Sequence, residues 1–345
     1  MSETGGAMEA LLWHELPGGA VRCELCYHRC RIEEGGRGLC CVRENRGGRL
    51  YSLSWGRLIS ANLDPIEKKP LFHFHPGSRS LSIATVGCNF RCQFCQNWSI
   101  SQWPRGRPGE ALPGELTPPD KIAELAAAKG AASISYTYTE PTVFWEYVLD
   151  VAREARARGV KNVLVTNGYM TPQALDALGN DLDAANVDLK GASSEAIQRV
   201  TSGRPGPVRA NIRRLWERGI WVEVTTLIVP GLNDTERDLR SIASFLASVS
   251  PSIPWHVSRF HPDHEMQDRP ATPPDILRKA CEWGRAEGLG HVYTGNLWGD
   301  DHESTRCAAC GEELISRRGF RLLGVSLKGG RCPRCGAALA GVGLP

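Results

Sequence analysis

The sequence predicts an α/β protein whose core is a partial (β/α)6 barrel, with a small cysteine-rich metal-binding module at each end. Between residue 80 and about residue 295, apolar strand-like runs alternate with amphipathic helix-like runs. The strand-like runs are 81–86, 132–138, 160–166, 184–189, 220–229 and 255–260, and the helix-like runs are 118–129, 142–158, 172–179, 207–218, 235–248 and 274–287. This alternation implies parallel strands joined by right-handed crossovers, and six units are too few to close an eight-fold barrel. A further strand is expected at 290–294.

The composition is that of an ordinary soluble protein. The 345 residues, 41% hydrophobic and 23% charged, provide for one large domain with one or two small ones. A net charge of +3 is too weak to argue for nucleic acid or a membrane surface, so neither is expected as a partner. Residues 1–12 lack the pattern of a secretion signal, and no run of about 18 apolar residues occurs. We therefore expect a cytoplasmic protein.

The thirteen cysteines are the strongest signal in the composition. Twelve of them fall into three groups, and Cys281 stands alone. Close C-x2-C pairs inside a large α/β-type protein indicate metal binding in a reducing compartment rather than disulfides.

The central group is Cys88, Cys92 and Cys95, at C-x3-C-x2-C spacing directly after the apolar run 81–86. A cubane iron–sulfur cluster normally takes four thiolates, so three ligands in one loop would leave one iron open for chemistry. The alternative is a structural role, or part of a zinc site. That alternative is disfavoured because nothing downstream before Cys281 supplies a second pair of ligands.

With the aromatic Phe94 just before its last cysteine, this motif resembles the signature of the radical S-adenosylmethionine (SAM) enzymes. The resemblance implies that the amino and carboxylate groups of SAM chelate the open iron of a [4Fe-4S] cluster, with Phe94 beside the cofactor. It further implies that the reduced cluster cleaves SAM to methionine and a 5′-deoxyadenosyl radical that abstracts hydrogen. An electron donor such as flavodoxin or ferredoxin is then required.

A narrower resemblance lies in residues 64–71, followed by His73, Phe74 and a Pro-Gly pair. This run is similar to the radical SAM member of the AmmeMemoRadiSam system, a relative of the pyruvate formate-lyase (glycyl-radical enzyme) activating enzymes. The resemblance implies hydrogen abstraction from a glycine of a partner protein. Two alternatives are open: radical modification of a small molecule or another macromolecule, and a non-catalytic role in electron transfer or zinc-ribbon recruitment. His73 and His75 are interpreted as loop packing rather than metal ligands.

Polar or glycine-rich residues follow every predicted strand. In parallel α/β sheets the loops after the strands converge at the carboxyl edge, so ligand groups gather there. Besides the three cysteines, the candidates at this edge are Glu140, Thr166, Asn167, Asp188, Lys190 and His261. The glycine-containing run 230–234 follows the fifth strand. Every predicted strand thus delivers a polar or glycine-rich segment to one edge, a pattern that solvation alone does not explain.

The chemistry of SAM suggests roles for these residues. Glu140 can accept from the ammonium group, and Thr166 and Asn167 can bond the ribose hydroxyls. Asp188 and Lys190 lie two apart at a strand end and so share a face, where Lys190 suits the carboxylate and Asp188 a cation or the ammonium. A surface ion pair is the alternative for Asp188 and Lys190.

The family pattern supports part of this assignment. In the activase relatives, a matching Asp-x-Lys pair and a histidine after a later strand serve SAM, which here implies Asp188, Lys190 and His261. The superfamily's Gly-Gly-Glu motif is matched with a departure, because Tyr138 and Thr139 stand where glycines are commoner. The backbone approach at that point is therefore expected to differ.

The N-terminal module contains Cys23, Cys26, Cys30 and Cys40 as candidate ligands of a closed structural site, with Cys41 as the substitute for Cys40. Glycines before the fourth thiol allow the sharp turn that a small metal-bound loop needs. The Gly-x-Cys-x-Val-Arg run shared with the named subgroup favours Cys40. Zinc is the first choice of metal and an auxiliary iron–sulfur cluster the second, with metal-free thiols as the alternative.

The C-terminal module contains two C-x2-C pairs, each followed by glycine. The four thiols are Cys307, Cys310, Cys332 and Cys335. This spacing is a strong zinc-ribbon signal, although a single iron bound by four thiolates uses the same ligands. The predicted division of the chain is a Cys-rich module at 1–50, a linker with a strand at 51–79, the core at 80–300 and a zinc ribbon at 301–345.

Overall fold

The computed structural model describes residues 7–192 and 194–345, which form two compact units. The first contains 7–63 together with Ser80–Asp183, and the second contains Asp64–Arg79 together with Ala184–Pro345. The sequence-based division into four segments stays a prediction.

The described residues of the first half of the chain contain twelve strands and four α-helices. The strands are β1 Met8–Glu9, β2 Trp13–Glu15, β3 Val21–Cys23, β4 Arg31–Ile32, β5 Arg43–Arg46, β6 Arg49–Ser52, β7 Arg57–Leu58, β8 Ser60–Pro65, β9 Arg79–Ala84, β10 Glu115–Leu116, β11 Ser133–Tyr136 and β12 Lys161–Thr166. The helices are α1 Trp98–Ser101, α2 Pro119–Ala128, α3 Trp145–Ala157 and α4 Pro172–Ala177.

Strands β9, β11 and β12 form the parallel core of the first unit, with β11 in the middle. Ser133 of β11 is in register with Ser80 of β9 and with Lys161 of β12. The strands are buried along nearly their whole length, as parallel strands covered on both faces must be. Helices α2 and α3 pack against each other and on these strands. Strand β8 is hydrogen-bonded to β9, and the other strands of the unit form small antiparallel sheets, β1-β6-β5, β2-β3-β4 and β7-β10.

The second unit repeats the parallel pattern and adds a small antiparallel sheet. Its strands are β13 Ala184–Asp188, β14 Trp221–Ile228, β15 Trp255–Arg259, β16 Val292–Gly295, β17 Thr305–Arg306, β18 Glu313–Arg318 and β19 Arg321–Val325. Its helices are α5 Ser194–Thr201, α6 Pro205–Glu217, α7 Glu236–Val249 and α8 Pro274–Ala286. Strands β13 to β16 pair in parallel in chain order, and β17, β18 and β19 form the antiparallel sheet.

All seven strands predicted for the core are present within a few residues of their expected bounds. Two short helices, α1 and α5, were not predicted. Thr235 caps helix α7 by accepting from Asp238 N, since its side-chain oxygen meets an otherwise unpaired amide of the first turn. Among the described helices, none is long and apolar enough to cross a bilayer.

A buried carboxylate on β14 fixes the loop before β9. Glu223 accepts hydrogen bonds from the backbone N–H groups of Phe72 and His73, at 3.0 and 2.7 Å. It also accepts from Trp221 Nε1 at 3.0 Å and from His256 Nε2 at 2.7 Å. Burial alone would raise the pKa of Glu223, but the hydrogen bond and charge of His256 lower it. This carboxylate therefore replaces the water that the loop backbone loses on folding.

His73 packs in the interior of the second unit. Its Nδ1 donates to Ala340 O at 2.7 Å, and its Nε2 accepts from the Tyr293 hydroxyl at 2.6 Å. Burial lowers the pKa of His73 to about 4, so the ring is neutral at physiological pH. The interpretation of His73 as loop packing agrees with this geometry.

We predict that acid destabilises the protein through this histidine. The unfolded chain takes up a proton on His73 near pH 6.5 and the native protein only near pH 4, so the stability present above pH 6.5 is lost as the pH falls between the two. The loss amounts to about 3 kcal/mol in the free energy of unfolding, measured by urea denaturation at pH 4 to 8. A His73→Gln variant, which keeps a donor and an acceptor but does not titrate, should show a shallower decline. Equal pH slopes in the two proteins would contradict the prediction.

Candidate active site

The three central cysteines lie on the loop that follows β9, at the carboxyl end of that strand. Cys92 is buried, and Cys88 and Cys95 are partly exposed. The loop begins at Gly87, whose φ is +101°. A Cβ atom there would lie 2.7 Å from Val42 Cγ1, so both the conformation and the space require glycine.

Hydrogen-bonding groups lie beside two of the three sulfur atoms of this loop. The Phe90 N–H donates to Cys88 Sγ at 3.3 Å, and Cys95 Sγ lies 3.2 Å from Ser101 Oγ. The amide Nδ2 of Asn167 is 4.0 Å from Cys88 Sγ. Burial, and then the nearby Glu140 carboxylate, raise the pKa of Cys88, so as a free thiol it stays protonated. Three thiols on one loop, with N–H donors beside Cys88, form a donor set that suits an iron–sulfur cluster.

Arg105 holds the cysteine loop in shape and was not predicted from the sequence. One nitrogen of its guanidinium donates to the carbonyl oxygens of Cys88, Phe90 and Leu39, at 2.8, 2.9 and 3.3 Å. Carbonyl oxygens of a tight loop have no partners in a strand or helix, so a side chain must satisfy them. Arg105 therefore acts on the loop backbone rather than on the sulfur atoms.

Glu140, Thr166 and Asn167 come together at the ends of β11 and β12. Glu140 is buried, and its Oε1 accepts from Thr142 N, Thr142 Oγ1 and Thr166 Oγ1, at 3.1, 2.6 and 2.7 Å. Its Oε2 accepts from Asn167 N at 2.7 Å. Burial raises the pKa of Glu140, although these four donors oppose the shift. The three residues predicted to contact SAM therefore lie together, and in this structure they are hydrogen-bonded to one another.

Asn89 joins this cluster to the cysteine loop and was also missed from the sequence. Its Oδ1 accepts from Asn167 Nδ2 at 2.7 Å. Because Asn89 directly follows Cys88, this bond ties the first thiol to the end of β12. The sequence signal that could have indicated Asn89 is its position inside the cysteine motif, directly after Cys88.

Tyr138 has a φ of +63°, in the left-handed region that non-glycine residues rarely occupy. This is one of the two positions where the superfamily pattern has glycine. Thr139, at the other position, donates from Oγ1 to Thr85 O at 2.8 Å. The backbone conformation suited to glycine is therefore kept although the side chain is a tyrosine.

In the second unit, Asp188 and Lys190 lie at the end of β13 and contact each other. Lys190 Nζ is 3.1 Å from Asp188 Oδ2, with the lysine side chain 14% exposed and the aspartate 35%. Asn233 Nδ2 donates to Lys190 O at 2.8 Å and to Leu227 O at 2.9 Å, which joins the loops after β13 and β14. His261 is exposed beyond the end of β15. The SAM-binding roles of Asp188, Lys190 and His261 stay predictions.

The C-terminal thiols converge on a single point. The Sγ atoms of Cys307, Cys310, Cys332 and Cys335 all lie within 4.8 Å of one another. The Gly311 N–H donates to Cys307 O and the Gly336 N–H to Cys332 O, both at 2.9 Å, so each C-x2-C pair closes a tight turn. This group can hold a metal ion, and it packs on Leu314 and Ile315 of β18.

The N-terminal thiols line a small cavity instead. Cys23, Cys26, Cys30 and Cys40 all stand on its wall, and the cavity measures about 20 Å³. Cys41 is not among the lining residues, and its Sγ lies 3.8 Å from Leu39 O. Cys40 is therefore the thiol that the fold groups with the other three.

The geometry defines an α/β protein with a three-thiol loop and buried polar groups at the carboxyl ends of its parallel strands. Residues 82–246 match the family model described as the radical SAM superfamily. An uncharacterized protein of Methanocaldococcus jannaschii is 43% identical over 331 residues, covering 95% of this chain and 97% of that protein.

Two named activating enzymes are more distant relatives. The pyruvate formate-lyase-activating enzyme of Staphylococcus epidermidis is 24% identical, and the match covers 54% of this chain and 76% of that enzyme. The isethionate sulfite-lyase activating enzyme of Oleidesulfovibrio alaskensis is 27% identical, with 37% of this chain and 43% of that enzyme covered.

The chain belongs to the radical SAM superfamily and is an enzyme of the radical SAM type. The fold class predicted from the sequence is confirmed: an α/β core with parallel strands of the radical SAM type and cysteine-rich segments at both ends. The superfamily membership predicted from the cysteine motif is likewise confirmed.

We predict that Glu140→Gln destabilises the protein by about 1–3 kcal/mol, because an amide places N–H groups where buried donors need an acceptor. The free energy of unfolding of the metal-free protein, from urea denaturation, tests this. Glu15→Gln, at an exposed glutamate, is the matched control and should change little. Equal stabilities for the two variants would show that the four bonds to Glu140 contribute nothing.

Proposed function

We propose that this protein holds a [4Fe-4S] cluster through Cys88, Cys92 and Cys95, binds SAM at the open iron, and activates a partner protein by abstracting hydrogen from a backbone glycine. The observation that carries the proposal is the three-thiol loop at the carboxyl end of β9, with two N–H donors beside the sulfur atom of Cys88. The relatives named as activating enzymes support the choice of a protein substrate.

When bound, the reduced cluster would supply one electron that breaks the C5′–S bond of SAM, giving methionine and a 5′-deoxyadenosyl radical. Abstraction of a hydrogen atom from the glycine would then give 5′-deoxyadenosine and a glycyl radical on the partner. A flavodoxin or ferredoxin is the proposed one-electron donor. A reducing cytoplasm is the proposed location, in keeping with thirteen cysteines of which none forms a disulfide.

The chain's own residues would position these groups. Arg105 fixes the backbone of the cysteine loop, and Asn89 ties it to Asn167. The Oε1 atom of Glu140 is filled by three donors, whereas Oε2 accepts one hydrogen bond and keeps a lone pair. We therefore assign the SAM ammonium to Glu140 Oε2.

Other proposed contacts follow the sequence-based roles. Thr166 Oγ1 donates to Glu140 and accepts from Gly168 N, so its second lone pair can accept a hydrogen bond from a ribose hydroxyl. The side-chain nitrogen of Lys190 remains the proposed partner of the SAM carboxylate, and Phe94 a neighbour of the cofactor. Asp188 and His261 are also proposed to contact SAM. Asp188 forms an ion pair with Lys190 and would hold that lysine in position.

The C-terminal thiols are proposed to bind zinc. Zn–S bonds of about 2.3 Å in a tetrahedron place sulfur atoms about 3.8 Å apart. The Cys307–Cys335 and Cys310–Cys332 sulfur distances are both 3.6 Å, close to that spacing.

We predict that Cys335→Ser removes this zinc ion, because one of four thiolates is lost at an exposed position of the cluster. Zinc per chain, measured by mass spectrometry after purification, should fall by more than half. The C-terminal segment should become sensitive to protease, since structural zinc contributes to folding. Cys41→Ser is the control and should keep its zinc; an unchanged zinc content in Cys335→Ser would refute the assignment.

The radical chemistry is tested by anaerobic reconstitution with iron and sulfide, followed by dithionite and SAM. We expect 5′-deoxyadenosine from the wild type, and background levels from Cys92→Ala, because a cluster ligand is missing. Cys41→Ala, which removes a thiol outside the loop, should behave as the wild type. A reconstituted, reducible cluster that leaves SAM intact would overturn the proposal.

Measuring the affinity for SAM tests the proposed SAM-binding residues independently of the reactivity of the cluster. Glu140→Ala and Lys190→Ala should each weaken SAM binding by roughly tenfold or more, since each removes one charge-assisted bond. Equilibrium dialysis with reconstituted protein measures the affinity, and the exposed Glu15→Ala serves as the control. Unchanged affinity in both variants would discredit the assignment of the SAM site.

A further inference from the structure

The N-terminal thiols differ from the C-terminal thiols in their spacing. At the C-terminus four sulfur atoms lie within 4.8 Å of one another, as a single bound ion requires. Within the part of the chain that the structure describes, no three of the N-terminal thiols meet that spacing. They stand instead around a cavity of about 20 Å³. Sulfur atoms that bind one zinc ion are in mutual contact and leave no such space between them.

Two buried donors without hydrogen-bond partners face the same cavity. Arg43 and Asn89 both line it, and they are 2% and 1% exposed. Among the described residues, neither Arg43 Nε nor Asn89 Nδ2 has a partner. Buried donors are rarely left unpaired in native proteins, so a missing acceptor is expected at this place.

The unpaired nitrogen of Arg43 indicates what kind of acceptor fits in the cavity. The Arg43 guanidinium is paired with Glu146 Oε1 at 2.9 Å through one nitrogen and with Leu11 O at 2.6 Å through another. Its Nε is the guanidinium nitrogen that has no partner among the described residues. Sulfur atoms of an iron–sulfur cluster accept N–H bonds of this kind, and such bonds tune the cluster.

We propose that Cys23, Cys26, Cys30 and Cys40 bind a second [4Fe-4S] cluster rather than a structural zinc ion. In a cubane each thiolate binds a different iron, so the four sulfur atoms stand apart around a body of inorganic sulfide. Arg43 Nε and Asn89 Nδ2 are the donors to its sulfur atoms. Four protein ligands leave none of its irons open, so this centre exchanges electrons and does not bind SAM.

The position of Asn89 suggests that the second cluster passes electrons to the first. Asn89 lines the thiol cavity and directly follows Cys88, the first thiol of the proposed SAM-cleaving cluster. One electron from a low-potential donor would reduce the second cluster and then pass to the first, leaving the second oxidised again. This role rests on the proposed function, whereas the cluster assignment does not.

The test is the acid-labile sulfide bound by a variant that lacks the first cluster. The triple variant Cys88→Ala, Cys92→Ala and Cys95→Ala is reconstituted anaerobically with iron and sulfide in the full-length chain. We expect it to keep about half of the sulfide bound by the wild type, with Mössbauer parameters of a cubane. Sulfide is measured rather than iron because a lone iron in the C-terminal thiols carries none.

The complementary variant Cys30→Ser should lose the half that the triple variant keeps. Cys41→Ser, a neighbouring thiol off the cavity wall, is the matched control and should bind as much sulfide as the wild type. The zinc of the C-terminal thiols serves as an internal measure of folding in each variant.

A triple variant without sulfide but with a second zinc ion would overturn the inference and leave the proposed function intact. Absence of sulfide from the wild type would refute both. Deoxyadenosine formation that fails while both variants keep their expected sulfide would refute the proposed function alone.

Discussion

The buried carboxylate of Glu140 is the interaction on which the candidate site of the first unit depends. Parallel strands end in backbone and side-chain donors that lose water when the loops close over them. One carboxylate accepts four of these bonds, from Thr142, Thr166 and Asn167, and so fixes the ends of β11 and β12. A hydrogen bond from Asn167 to Asn89 connects these strand ends to Cys88, the first thiol of the cysteine loop.

The second unit uses the same solution. Glu223 accepts four bonds on β14, two from a loop backbone and two from side chains. Neither carboxylate is exposed, and both are satisfied by neutral N–H and O–H groups or by a histidine. A buried charge is tolerated on these terms because its hydrogen bonds replace those of water. Removing either carboxylate therefore leaves several buried donors without an acceptor at once, which destabilises the fold.

The parallel strands and the thiol groups were predictable from the sequence because their signals are local. An apolar run marks a buried strand, and close cysteine pairs mark a metal site. Arg105 and the Arg43–Glu146 pair were not predictable, because the residues they bond lie far away along the chain: Arg43 is on β5 and Glu146 on α3. Thr235 caps α7, whereas Asn233 in the preceding turn is engaged with Lys190 and Leu227.

Cysteine spacing alone does not determine which metal a site takes, because the loop backbone sets how close the sulfur atoms come. In the C-terminal pairs, Gly311 and Gly336 adopt the left-handed conformation and close both turns onto one point. In the N-terminal module Arg29, Gly35 and Cys41 adopt this conformation, and the four thiols line a cavity. The same residue type therefore surrounds a space in one module and a single point in the other, which is why we propose different metals for the two modules.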